Sequence, residues 1–150
     1  MTKSEKALEY FNNQFNCSQS VLVAFGPEMG MSENDCLKVS CAFGGGMARQ
    51  QKTCGAVTGA MMAIGLKYGK AANEDESKKL HTYARTNEFC EAFEQEHNSL
   101  ICKDLLNGLD MNTEDGINKI KELNLFKLKC DKYVETAVEI IEQMFANDEK

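Results

Sequence analysis

A chain of 150 residues with 43% hydrophobic and 27% charged residues is expected to fold as one domain whose core needs no disulfide support. Its formal net charge of -6 argues against nucleic acid and anionic membrane surfaces as partners, because both repel an acidic protein at long range. Seven cysteines, an odd number, argue against a fully paired extracellular framework, and the N-terminus lacks the basic start and apolar run of a secretion signal. The expected setting is therefore reducing and cytoplasmic, and with no stretch of about 18 consecutive apolar residues there is no expected membrane span.

Pro27 is the single proline. Apolar residues recur every three or four positions through nearly the whole chain, the period of amphipathic helices. The predicted fold is all-α, a compact multi-helix bundle. A first helix runs from about Ser4 to Asn13, with Ala7, Leu8, Tyr10 and Phe11 as its apolar stripe. A second opens at "NCSQSVLVAF", where Asn16 is a good N-cap and Gln19, three residues on, completes a capping-box pattern. Ser32 caps a third helix through "ENDCLKVSCAF", which Gly44, Gly45 and Gly46 must end.

After the loop "GGGMARQQK" comes the most apolar helix, "CGAVTGAMMAIGLKY", predicted to begin after Thr53 and to stop near Gly69 as a C′ residue. A longer charged helix, roughly Glu74 to Glu96, is predicted to turn Leu80, Tyr83, Ala84, Phe89 and Phe93 inward. Ser99 offers a cap for a short helix closed by Gly108, and Thr113 starts "EDGINKIKELN". A final helix spans about Cys130 to Phe145, with Tyr133, Val134, Ala137, Ile140, Ile141 and Met144 facing the core. No linker or internal repeat divides this series.

The cysteines sort by position. Cys17, Cys54, Cys102 and Cys130 each fall in the first turn of a predicted helix, whereas Cys36, Cys41 and Cys90 fall inside helices and read as packing residues. At a helix start the unpaired N–H groups and aligned peptide dipoles favour negative charge, which lowers a thiol's pKa and enlarges the thiolate fraction. No C-x-x-C pair and no C-x-x-C-H haem signature occurs, which argues against thioredoxin-type and zinc-ribbon motifs and leaves any shared site to be assembled from four distant segments. Such a site suits an iron–sulfur cluster, zinc, or metal-free thiol–disulfide exchange; a further alternative is a structural, partner-binding helical bundle whose cysteines hold zinc or simply pack. Of these, a cluster or metal is preferred, because four thiolates repel one another unless a cation neutralises them.

Gly55, Gly59 and Ala63 recur every fourth residue along the apolar helix, so another helix or a ligand can approach its backbone closely. Glycines inside a helix each cost roughly 0.5–1 kcal/mol relative to alanine, so they need a packing or functional reason. Gly45, Gly46, Gly55 and Gly59 are the candidate residues against which a cofactor packs, and Met47, Arg49 and Lys52 are candidates for an electropositive wall near Cys54. His81 and His97 lie on or at the end of the charged helix, where exposure is the ordinary explanation.

The segments "NCSQSVLVAF", "AFGGGMARQQKTCGAVTGAMMAIGL", "CKDLLNG" and "CDKYVETAVEII" together resemble the C-GCAxxG-C-C family. Cys54, Gly55, Ala56 and Gly59 match its central motif as C-G-A-x-x-G, and Cys17, Cys102 and Cys130 match its single cysteines. The resemblance implies an all-helical domain with four characteristic, redox-active cysteines, and through split-Soret cytochromes it associates the fold with haem and iron–sulfur chemistry. Covalent haem does not carry over, because its attachment motif is absent. Cys36, Cys41 and Cys90 are additions to the pattern. The implied protein is an oxidoreductase or electron-transfer protein with a redox partner, and a homodimer is compatible with the apolar first half.

Overall fold

The computed structural model describes residues 1–148. The helices are α1 (Lys3–Asn12), α2 (Cys17–Phe25), α3 (Glu33–Ser40), α4 (Gly44–Met47), α5 (Gly55–Tyr68), α6 (Glu76–His97), α7 (Cys102–Leu105), α8 (Glu114–Glu122), α9 (Leu125–Leu128) and α10 (Cys130–Asp148). Single 3₁₀ turns at Gly26–Met29 and Cys41–Phe43 follow α2 and α3. Among the described residues the only β pairing is an isolated antiparallel bridge between Thr53 and Ile101.

The strongly apolar helices α2 and α5 form the centre. Every residue of α2 from Ser18 to Phe25 is buried, and α5 buries Gly55 to Ala60 together with Ala63 and Ile64. They pack on each other, with α1, α3 and α10 around α2 and with α6 and α10 around α5. Phe89 and Phe93 from α6 and Val134, Val138 and Ile141 from α10 fill the remaining core. The polar side chains inside are partnered: Ser18 Oγ and Thr58 Oγ1 meet at 3.2 Å across the α2–α5 contact, and Gln19 Nε2 donates to the Leu37 carbonyl at 2.9 Å.

Local capping explains several helix starts. Asn16 accepts from the Gln19 N–H while Gln19 reaches back to the Asn16 N–H, the expected capping box. Ser32 accepts from the Asp35 N–H, and Thr113 from the Gly116 N–H.

Two expected caps are displaced by the Thr53–Ile101 bridge. Thr53 is held in extended pairing, so Cys54 becomes the N-cap of α5. Ile101, not Ser99, precedes α7, while Ser99 Oγ accepts the Ile101 N–H at 2.9 Å. Gly69 ends α5 as expected, but with extended backbone (φ -61°, ψ 151°) instead of a left-handed turn.

The inner face of α6 is also corrected. Phe89 and Phe93 are buried, but Leu80 and Tyr83 are 60% and 57% exposed and Ala84 is exposed. At Arg85 the helix passes the ends of its neighbours: Arg85 Nη2 donates to the Met144 carbonyl and contacts Asp148 and the Tyr68 hydroxyl. Towards its N-terminus α6 has little core left to enter. Among the described residues no helix is long and apolar enough to cross a membrane.

Candidate functional site

Four chain segments bring their ends to one place. Cys17 is the first residue of α2 behind the Asn16 cap, and Cys130 is the first residue of α10. Cys54 and Cys102 arrive together through the antiparallel bridge. The Cys54 N–H donates to the Leu100 carbonyl at 2.8 Å and the Cys102 N–H to the Lys52 carbonyl at 2.7 Å, flanking the Thr53–Ile101 pair. In such a pair, residues one step beyond the central couple point to the opposite face from it, so Cys54 and Cys102 are diagonal neighbours on one face.

All four cysteines line one cavity of about 190 Å³, walled otherwise mainly by apolar side chains including Phe11, Leu105, Leu106, Met111, Phe126 and Tyr133. Cys54, Cys102 and Cys130 are buried, Cys17 is half-buried, and every cysteine of the chain is a free thiol. The Tyr133 hydroxyl donates to the Leu105 carbonyl at 2.7 Å. Behind it His97 packs edge-on against the Tyr133 ring, centroids 4.8 Å apart, and bonds Thr136 Oγ1 at 2.9 Å.

These surroundings reverse the acidity expected from helix starts. Burial pushes the Cys54 thiol up to about 12 from the ordinary 9.0, against an opposing pull from the backbone N–H groups of Ala56 and Val57. Cys102 is likewise pushed up to about 12, by burial first and by Cys130 second. Cys17 is raised well above 9.0 by its hydrogen bond to Cys130, by burial, and by the other thiols around it.

The magnitudes decide the direction. A rise from 9.0 to about 12 at Cys54 is worth about 4 kcal/mol at ~1.4 kcal/mol per pH unit, whereas a charge at a helix end gains ~0.3–1 kcal/mol. Burial therefore favours the neutral thiol at Cys17, Cys54 and Cys102. Cys130 enters the shift of all three partners and of Tyr133, which burial raises to about 12; it is the thiol common to the cluster.

One wall of the cavity is an unusual strap. Gly45, Gly46, Met47, Ala48 and Arg49 all have φ between 54° and 69°, and Gln51 has φ 56°. Their N–H groups follow a left-handed turn: Gln51 N–H donates to the Gly45 carbonyl and Lys52 N–H to the Gly46 carbonyl, each at 3.0 Å. Left-handed backbone costs roughly 1–2 kcal/mol for each non-glycine residue, so the strap needs outside support. Gln51 supplies it, donating from Nε2 to the Leu109 carbonyl at 2.8 Å and accepting the Met111 N–H at 2.9 Å. Asn112 Nδ2 adds a bond to the Arg49 carbonyl at 2.7 Å.

Of the residues singled out in the sequence, Cys17, Cys54, Cys102, Cys130, Gly45, Gly46 and Gly55 all line the cavity. Gly46 has φ 67°, and a Cβ on it would meet the Cys102 Cβ at 2.7 Å, so the strap closes against Cys102 only because this residue is glycine. Gly59 is absent from the cavity wall. It faces α2, where a Cβ would lie 2.6 Å from the Ser18 carbonyl oxygen.

Of the expected electropositive wall, Arg49 reaches the cavity, while Met47 and Lys52 do not line it. Among the additional cysteines, Cys36 is buried as expected and Cys90 is half-buried, but Cys41 lies in the 3₁₀ turn after α3 and is exposed. Tyr133 was read only as a core residue, and Gln51 was not singled out at all. Its one sequence signal is a polar residue next to a glycine run whose backbone groups need partners.

Among the described residues no group of three or more His, Cys, Asp or Glu is drawn together as a single metal ion requires. A polynuclear cluster makes a different demand: it spreads its thiolate ligands around a core of iron and sulfide, so it needs soft donors on the wall of a cavity. A closed zinc shell would instead place each sulfur about 2.3 Å from one ion.

The fold and site together define an all-helical bundle organised around a four-cysteine cavity. The family described as "Putative redox-active protein (C_GCAxxG_C_C)" matches residues 15–144, and the chain belongs to it. No curated protein and no solved structure shows a significant match to the chain.

Proposed function

We propose that the protein is a cytoplasmic redox protein in which Cys17, Cys54, Cys102 and Cys130 hold an iron–sulfur cluster. The observation that carries the reading is the convergence of four buried or half-buried thiols from four segments on one largely apolar cavity of about 190 Å³. When bound, a cluster supplies one-electron transfer. The chain's own part is to present four soft donors, to exclude water through Phe11, Leu105, Leu106 and Phe126, and to close the strap over Cys102. Burial raises the proton affinity of Cys54 and Cys102, so ligation requires release of their protons.

The placement of Cys17 and Cys130 on the wall of one cavity favours one second reading, a dithiol that reduces a disulfide. Both thiols would lose their protons and together two electrons, forming the Cys17–Cys130 bond, while the incoming disulfide leaves as two thiols. Anaerobic isolation, with iron, sulfide and zinc analysis and an absorbance spectrum, separates the readings. Stoichiometric iron and sulfide, lost together in Cys54→Ser and Cys102→Ser, is the expected result. Protein free of iron and sulfide after reconstitution, yet cycling a Cys17–Cys130 disulfide, would overturn the cluster in favour of the exchanger.

A further inference from the structure

The cysteine cavity shares part of its wall with a neighbouring cleft. Arg49, Met111 and Phe126 belong both to the cavity wall and to this cleft of about 240 Å³, which is completed by Asn112, Ile117 and Lys121. One side of this cleft is the strap, which carries Arg49; the other is α8, which carries Lys121. The strap is tied to the 109–112 segment by Gln51 and Asn112, so the two sides are held at a fixed separation.

In a chain of net charge -6, Arg49 and Lys121 form no ion pair among the described residues, while neighbouring Lys119 pairs with Glu122. Two uncompensated cations over a floor of Met111, Ile117 and Phe126 ask for a ligand that is anionic at one end and apolar at the other.

We propose that this cleft binds a small organic carboxylate, its charge between Arg49 and Lys121 and its apolar body against Met111, Ile117 and Phe126, beside the cysteine cavity. The site does not depend on what the cavity holds. A carboxylate bound there lies against Met111 and Phe126, the residues shared with the cysteine cavity, so it restricts their movement and slows access to Cys54 and Cys102. Nucleic acid does not suit a narrow cleft on an acidic protein, and a compact inorganic anion leaves the apolar floor uncovered.

The test titrates the full chain with 3-phenylpropionate, with its neutral amide and with inorganic phosphate, by calorimetry. The carboxylate is expected to bind saturably, and the amide and phosphate more weakly by about tenfold or more, the scale of one charge-assisted bond or one buried apolar body. Arg49→Gln and Lys121→Gln, both at exposed positions, are each expected to lower the affinity about tenfold at unchanged helicity.

In metal-free protein, peptide-resolved alkylation of Cys54 and Cys102 is expected to slow when the carboxylate is present, with Cys90 unaffected. Absence of saturable carboxylate binding, equal binding of the amide or phosphate, wild-type affinity in both variants, or unprotected Cys54 and Cys102 would each overturn the proposal.

Discussion

Replacing Gly59 by alanine sets two effects of opposite sign against each other. Inside a helix the change gains roughly 0.5–1 kcal/mol, because alanine loses less backbone freedom on folding. Here the new Cβ would stand 2.6 Å from the Ser18 carbonyl oxygen, 3.0 Å from the Val21 Cβ and 3.1 Å from the Ser18 Cα. Two of these atoms belong to the α2 main chain, so relief requires moving the helix. Overpacking of this kind costs about 1–3 kcal/mol, leaving a net loss of about 1–2 kcal/mol after the helix gain. For a chain of this size that lowers Tm by roughly 2–8 °C.

Gly65 lies in the same helix with nothing within 4 Å of its would-be Cβ, so Gly65→Ala is expected to raise stability by roughly 0.5–1 kcal/mol. Urea unfolding followed by far-UV circular dichroism compares the pair. If Gly59→Ala proves as stable as Gly65→Ala, the close α2–α5 approach is wrong.

Gln51→Leu removes the hydrogen-bond partners of the half-buried Leu109 carbonyl and Met111 N–H, and is expected to cost about 1–3 kcal/mol while speeding alkylation of Cys102. Unchanged urea midpoint and labelling rate would show that the strap stands without this residue. The native state keeps protons on Cys54 and Cys102 that the unfolded chain gives up near pH 9.0. Stability of the metal-free protein is therefore expected to be fully present below pH 9 and to fall as pH rises towards about 12. Tm measured across that range, in wild type and in Cys54→Ala/Cys102→Ala, checks it; parallel slopes in the two proteins would refute the assignment of the loss to these thiols.

The legible parts of the fold were those fixed by local chemistry. Asn16 with Gln19, Ser32 and Thr113 cap the helices that their side chains announce, because each bond closes within three residues. The regular spacing of apolar residues placed α10 and its core face for the same reason. Thr53 and Ser99 read equally well as caps and failed, since their use depends on a pairing 48 positions apart in the chain between Thr53 and Ile101. The apolar positions Leu80 and Tyr83 matched the helical period, but period does not reveal where neighbouring helices end.

Of the residues that the sequence offers for a site, the four cysteines and three of the four glycines line one cavity. Their protonation was not legible in the sequence. Helix starts are visible in a sequence, whereas the burial that outweighs them comes from residues such as Phe11, Leu105 and Phe126 on other elements.

That reversal bears on what the site is built to do. A thiol with a pKa of about 12 exposes very little thiolate near neutrality, so Cys54 and Cys102 are poor attacking groups as they stand. Both give up their protons readily only when a positive charge enters the cavity to replace them. Burial thus disfavours idle thiol chemistry, and under the proposed cluster reading ligation would become more favourable as pH rises. The left-handed strap acts in the same direction: Gly46 permits close packing against Cys102, and Gln51 holds the turn shut, which keeps water from supplying the solvation that would otherwise ionise these thiols.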